Sequence, residues 1–132
     1  MGDLNQIKVF TREEAEALLP MLTDFLNRAR AVRDEIQKLE IEIDLEELVQ
    51  EEGQPSRLDA RVEDYNHKIA DFYSLIEKIH EPGCFLKDAG LGLIDFYSMR
   101  EGKVVYLCWK QGEEHIRFWH EVGQGFSSRE AL

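Results

Sequence analysis

Apolar residues recur at Leu22, Phe25, Ala29, Val32, Ile36, Leu39 and Ile43, in alternating steps of three and four. That spacing holds one stripe on one face of an α-helix, the seam of a heptad repeat. A second seam runs through Leu58, Val62, Tyr65, Ile69, Phe72, Ile76 and Ile79. Between them Gly53-Gln54-Pro55 breaks the pattern, and Ser56, with Asp59 three residues on, is suited to cap the second helix. Two heptad-patterned helices joined by so short a break must run antiparallel and close on each other. Upstream, Thr11 and Glu14 form a capping box, and Glu13, Glu14 and Glu16 suit the positive end of the helix dipole. Pro20 lies too deep for the first turn of a helix begun at Thr11. It therefore either kinks that helix or opens a second one at its own first position. At about 1.5 Å per residue, the hairpin predicts an arm on the order of 30–40 Å long.

Glu81-Pro82-Gly83 ends the helical pattern, and the period of the apolar residues then falls to two. Strand-like runs lie around Leu91–Tyr97, Lys103–Trp109 and His115–Val122, separated by short connections that contain Gly102 and Gly112. A first turn centred on Glu101-Gly102 sets Asp95 opposite Cys108, and a second centred on Gln111-Gly112 sets Cys108 opposite His115. On that pairing Ile94, Phe96, Val105, Leu107, Trp109, Ile116, Phe118 and His120 share the face that packs on the helices. The other face carries Leu93, Asp95, Tyr97, Val104, Tyr106, Cys108, His115, Arg117, Trp119 and Glu121. A slip of one residue in either turn would exchange the faces of the strand concerned. The tail from Gly123 to Arg129 reads as irregular, with Phe126 as an anchor. The expected fold is α+β: a long antiparallel, coiled-coil-like helical hairpin over about 11–80, then a three-stranded antiparallel β-meander and tail over about 84–132. Together they make a single domain, 1–132.

Charge narrows the range of partners. The chain of 132 residues carries a net charge of −11. Residues 1–80 hold 19 acidic and 10 basic side chains, whereas 81–132 hold 8 and 6, so the acidity belongs to the helices. A phosphate-tracking surface needs clustered Lys and Arg, so nucleic acid is not an expected partner. No apolar run approaches a membrane span and no signal segment opens the chain, so no membrane partner and a cytoplasmic location are expected. The two cysteines, Cys84 and Cys108, imply no disulfide framework.

Several short strings resemble a known family. Phe10-Thr11, Glu14-Ala15 and Leu18-Leu19-Pro20 are similar to the opening of a prokaryotic family known as domain of unknown function 2203. Leu91-Gly92-Leu93-Ile94-Asp95-Phe96, Val105-Tyr106-Leu107-Cys108-Trp109, Gly112-Glu113 and Trp119-His120-Glu121 resemble its signature, and Gly125-Phe126 with Arg129 its close. The resemblance covers nearly the whole chain and implies a small bacterial cytoplasmic protein. It lends no activity, but it draws attention to Asp95, Cys108, Trp109, Trp119, His120 and Arg129, and away from His67 and His115.

Four groups of residues have the chemistry for a site. Asp95, Cys108, His115 and His120 offer the carboxylate, thiolate and imidazole of a zinc site, although their spacing matches no standard metal signature. On the expected pairing His120 faces away from the other three, and the plainer alternative is a packed cysteine and a hydrogen-bonded histidine. Glu77 and His80 form a Glu-x-x-His, half of a di-iron bundle site, which would need inward carboxylates from Glu13, Glu16 or Asp24. Seven carboxylates between Glu40 and Glu52, with no Lys or Arg among them, have the chemistry to draw cations or a basic partner, but a solvated helix tip is the plainer reading, since charge runs are usually that. Cys108 with a histidine and Asp95 also contains the residue types of a Cys-His-acid nucleophile, yet a strand cysteine has little to lower its pKa.

The expected function is therefore a non-enzymatic interaction or oligomerisation module, with no cofactor. Its partner would be a second copy or another helical protein, met through Phe25, Leu26, Tyr73, Tyr106 and Trp119. The alternative is a metal-binding protein, an enzyme or a sensor, using zinc at Asp95, Cys108 and His120.

Overall fold

The computed structural model describes residues 7–50, 53 and 57–132. The expected Ser56 cap, Gln54-Pro55 of the break, and Glu51 and Glu52 of the acidic stretch lie outside the described residues. Helix α1 spans Arg12–Ala17 and opens with the full capping box: Thr11 accepts from the Glu14 amide and Glu14 accepts from the Thr11 amide. Helix α2, Leu19–Val49, follows at once, with Pro20 in its first turn where a missing N–H costs nothing. Pro20 thus starts a second helix. Helix α3, Leu58–His80, returns along α2. Lys68 pairs with Glu35 and Arg61 with Glu42, so partners on α3 come earlier as those on α2 come later, which is the antiparallel order.

Five strands follow, in the order β1 (Phe85–Asp88), β2 (Leu93–Arg100), β3 (Lys103–Lys110), β4 (Phe118–Glu121) and β5 (Glu130–Ala131). Each is antiparallel to the next. The expected three-stranded meander forms the centre, and two short edge strands extend it. The β2–β3 turn is the expected one. Glu101 and Gly102 both have positive φ, 53° and 76°, the two-residue geometry that follows the sheet's twist. Asp95 accordingly pairs with Cys108. Before β2, Gly92 has a φ of +67°, and a Cβ there would lie 2.7 Å from the Cβ of Gln111, so only glycine fits.

The β3–β4 connection differs from expectation. Cys108 pairs with Phe118, not His115, and Tyr106 pairs with His120. Residues 111–117 form a loop held at several points. Glu113 accepts from the Lys110 amide and, through its carbonyl, from the Trp109 indole; Ile116 is buried and its amide donates to Glu16. Sinking Ile116 into the core consumes three residues of register. An odd shift turns every side chain of β4 over, so His120 and Phe118 join the Asp95–Cys108 face and Trp119 leaves it.

The core lies between the sheet's other face and the bases of the helices. Phe10, Ala15, Leu19, Leu22, Leu26, Ile79 and Cys84 meet Ile94, Phe96, Leu107, Trp109 and Ile116. Ser98 ties Phe10 to the sheet by donating to its carbonyl at 2.6 Å. Beyond this base the buried apolar residues of the hairpin, among the described residues, are Ala29, Ile36 and Leu39 of α2 and Leu75 of α3. Among the described residues, no helix is long and apolar enough to cross a membrane.

Candidate metal centre

The sheet face turned away from the helices is unusually polar for a buried surface. Asp95 on β2, Cys108 on β3 and His120 on β4 are 4%, 1% and 1% exposed, and their donor atoms all lie within 4.8 Å of one another. The pairing explains the convergence. Asp95 is directly across from Cys108, and His120, across from Tyr106 one step along, reaches over β3 to put its Nε2 3.1 Å from Asp95 Oδ2. Aromatic rings wall one side: Tyr97 stacks on Tyr106 at 4.7 Å, and Tyr106 lies 5.3 Å from the His120 ring.

The hydrogen bonds of His120 constrain its chemistry. Its Nδ1 is 2.9 Å from the carbonyl oxygen of Glu121, and a carbonyl only accepts, so that nitrogen carries the proton. Nε2 then faces the Asp95 carboxylate. A bare lone pair against a carboxylate oxygen is repulsive, so either a proton, carried by one group or the other, or a metal ion belongs between them. Binding of a metal by one ring nitrogen while the other donates to a carbonyl is the usual arrangement of a ligating histidine.

Cys108 supplies the third donor. Burial first, and then the charge of Asp95 and a thiol hydrogen bond to it, push the Cys108 pKa up to about 12; Arg129 acts in the opposite direction. Arg129 belongs to the tail that folds over this face. It bonds both carboxylate oxygens of Glu113 at 3.0 Å and lies between the rings of Phe118 and Phe126, 4.0 and 4.2 Å from their centroids. The Tyr106 phenol is likewise raised, by burial, its bond to Tyr97 and the Asp95 charge. Beside the three donors is a cavity of about 330 Å³, lined by Lys87, Leu93, Asp95, Tyr106, Cys108 and residues 123–126.

These donors suit a divalent transition ion. Bond lengths near 2.0–2.3 Å put donors of a tetrahedral site roughly 3.3–3.6 Å apart. The His120–Asp95 separation already lies close to that, and the widest separation in the cluster needs to close by only about an ångström. Carboxylate, thiolate and neutral imidazole together balance a 2+ charge, leaving a fourth position for solvent or ligand.

The other candidate residues are placed elsewhere. His115 is exposed, 3.6 Å from Glu16, and His67 is exposed on α3. Glu77 and His80 are on the surface; His80 Nε2 accepts from the Leu86 amide, while Glu16 serves Ile116 and Asp24 pairs with Arg28. No inward carboxylate therefore joins the Glu-x-x-His pair among the described residues. Glu40 and Glu42 brace α2 against Tyr65 and Arg61 of α3. Of the expected interaction residues, Leu26 and Tyr106 are buried in this chain's own packing, because α2 meets the sheet there and Tyr106 is covered by its aromatic neighbours. Phe25 and Trp119 pack partly against the core, and only Tyr73, 63% exposed, is openly at the surface. The Arg129–Glu113 clamp was not anticipated from residue chemistry, although Arg129 stands in a string resembling the family's close.

This arrangement defines an α+β domain with a buried three-donor cluster. The chain belongs to the family of uncharacterised conserved proteins termed DUF2203, whose model matches residues 8–132. Comparisons with curated proteins and with solved structures give no match.

Proposed function

We propose that this chain is a metal-binding protein in which Asp95, Cys108 and His120 hold one divalent ion, zinc by its donor set. The observation that carries this reading is the convergence of three buried potential ligands of different chemistry, with Nε2 of His120 aimed at a carboxylate. Three protein ligands with a cavity alongside resemble a site that keeps a coordination position open for a ligand or substrate, rather than a closed structural site. Arg129, held in place by Glu113, would steady the thiolate from outside the ligand set.

The test is metal content and Co²⁺ titration of protein purified without chelator. One equivalent of metal, a thiolate-to-cobalt charge-transfer band, and loss of both in Cys108→Ser and His120→Ala support the reading. Metal retained in both variants, or no binding by a folded protein, would overturn it. The second outcome leaves the His120–Asp95 contact as a buried hydrogen bond closed by a proton.

A further inference from the structure

The far half of α2 is apolar on two opposite sides. One side carries Ile36 and Leu39, buried, and Ile43, half-buried, against α3. The other carries Ile41, Leu45 and Leu48, with Val49 beside them, and these are 61%, 55%, 80% and 68% exposed. Steps of four and three align the first three along the helix. At about 100° per residue, Leu45 points roughly 160° away from Ile43, so α3 cannot reach this stripe. A helix carries apolar seams on opposite sides when it packs against a neighbour on each.

Charge distinguishes between occupants. From residue 40 to residue 49 there are five carboxylates, Glu40, Glu42, Asp44, Glu46 and Glu47, and no Lys or Arg. Glu40, Glu42 and Glu46 bond to Tyr65, Arg61 and the Arg57 amide of α3, whereas Asp44 and Glu47 have no partner among the described residues. A second copy docked stripe to stripe would set carboxylates against carboxylates, which opposes pairing. We propose that the distal stripe of α2 docks an amphipathic helix from another protein, one whose apolar ridge is flanked by Lys and Arg. The ridge would cover Ile41, Leu45 and Leu48, and its cations would meet the carboxylates that flank the stripe, Asp44 on one side and, still half-exposed beside its bond to Arg61, Glu42 on the other. Flanking charges of this kind set partner choice in helix pairs. The proposal is independent of the metal centre, which lies on the sheet.

The probe is a synthetic helix with leucines along one ridge and lysines on both flanks, titrated against the full chain by fluorescence anisotropy. It should bind at least about tenfold more tightly than the same peptide with glutamates in place of the lysines. The double variant Leu45→Ser, Leu48→Ser should lose at least about tenfold of that affinity with its thermal midpoint unchanged, since both side chains are exposed. No binding, or equal binding to the double variant, would show that no apolar dock exists and would overturn the proposal. So would a dimer of the free chain that the double variant dissolves, because the occupant would then be a second copy.

Discussion

The two sides of the sheet each bury a free cysteine, and the two thiols differ in what surrounds them. Cys84 sits in the apolar core and donates to the Ile79 carbonyl; burial alone raises its pKa, to about 11. Cys108 is raised further, but there a carboxylate adds to burial and a guanidinium opposes both. The first environment excludes charge. The second contains charges of both signs within a few ångströms, which is costly unless a bound cation or a shared proton balances them. A buried thiol is therefore informative only through its neighbours.

Removing the apolar side should have the largest effect. Phe96→Ala leaves a hole beside Phe10, whose ring meets it edge-on at 5.3 Å, and should cost about 3–5 kcal/mol in urea unfolding. A loss under about 1 kcal/mol would mean that the core is not where the burial places it. Next in size is the contrast between the cysteines. Cys108→Ser should lower Zn²⁺ affinity at least about 100-fold in a chelator competition, while Cys84→Ser leaves it within about twofold. Equal losses in both would erase the distinction between the two sides.

Alkaline unfolding sharpens the comparison from the other direction. The folded Cys84 pKa lies above its ordinary value of 9.0, so the folded state holds the thiol proton more tightly than the unfolded state does. That stabilisation is complete below pH 9 and is lost as pH rises through about 11, amounting to on the order of 2–3 kcal/mol. Cys84→Ala should flatten this part of the stability profile, and an unchanged slope between pH 9 and 11 would count against the assignment. Arg129→Gln should produce the smallest effect, about a tenfold fall in metal affinity with all three donors intact. If affinity is unchanged, the clamp serves only to pin the tail.

The parts of this arrangement readable in the residues are those set by short-range rules. The capping box at Thr11 and Glu14, the two helical seams and the Glu101-Gly102 turn each follow from a few neighbouring residues, and with the turn came the Asp95–Cys108 pair. The residue pattern puts His120 on the opposite face because β4 takes its register from distant contacts. Ile116 needs the core and its amide needs Glu16, 100 residues away in sequence. The edge strands are not legible in the residues for a similar reason. Phe85–Asp88 has no clear alternation, and Glu130–Ala131 is a strand only because β4 lies beside it. The donors were named from their chemistry, but their meeting depends on tertiary structure.

The two-residue turn also orders events in time. Asp95 and Cys108 are 13 residues apart around a tight hairpin, a low-contact-order pairing that forms on the microsecond scale. His120 lies on a strand whose register depends on contacts as distant as that of Ile116 with Glu16, so the third residue of the cluster is expected to join later. Under the proposed metal reading, refolding with Zn²⁺ present should therefore leave the early phase untouched and slow the reopening of the last strand, so that the ion would act as a latch on the finished sheet rather than a nucleus for it.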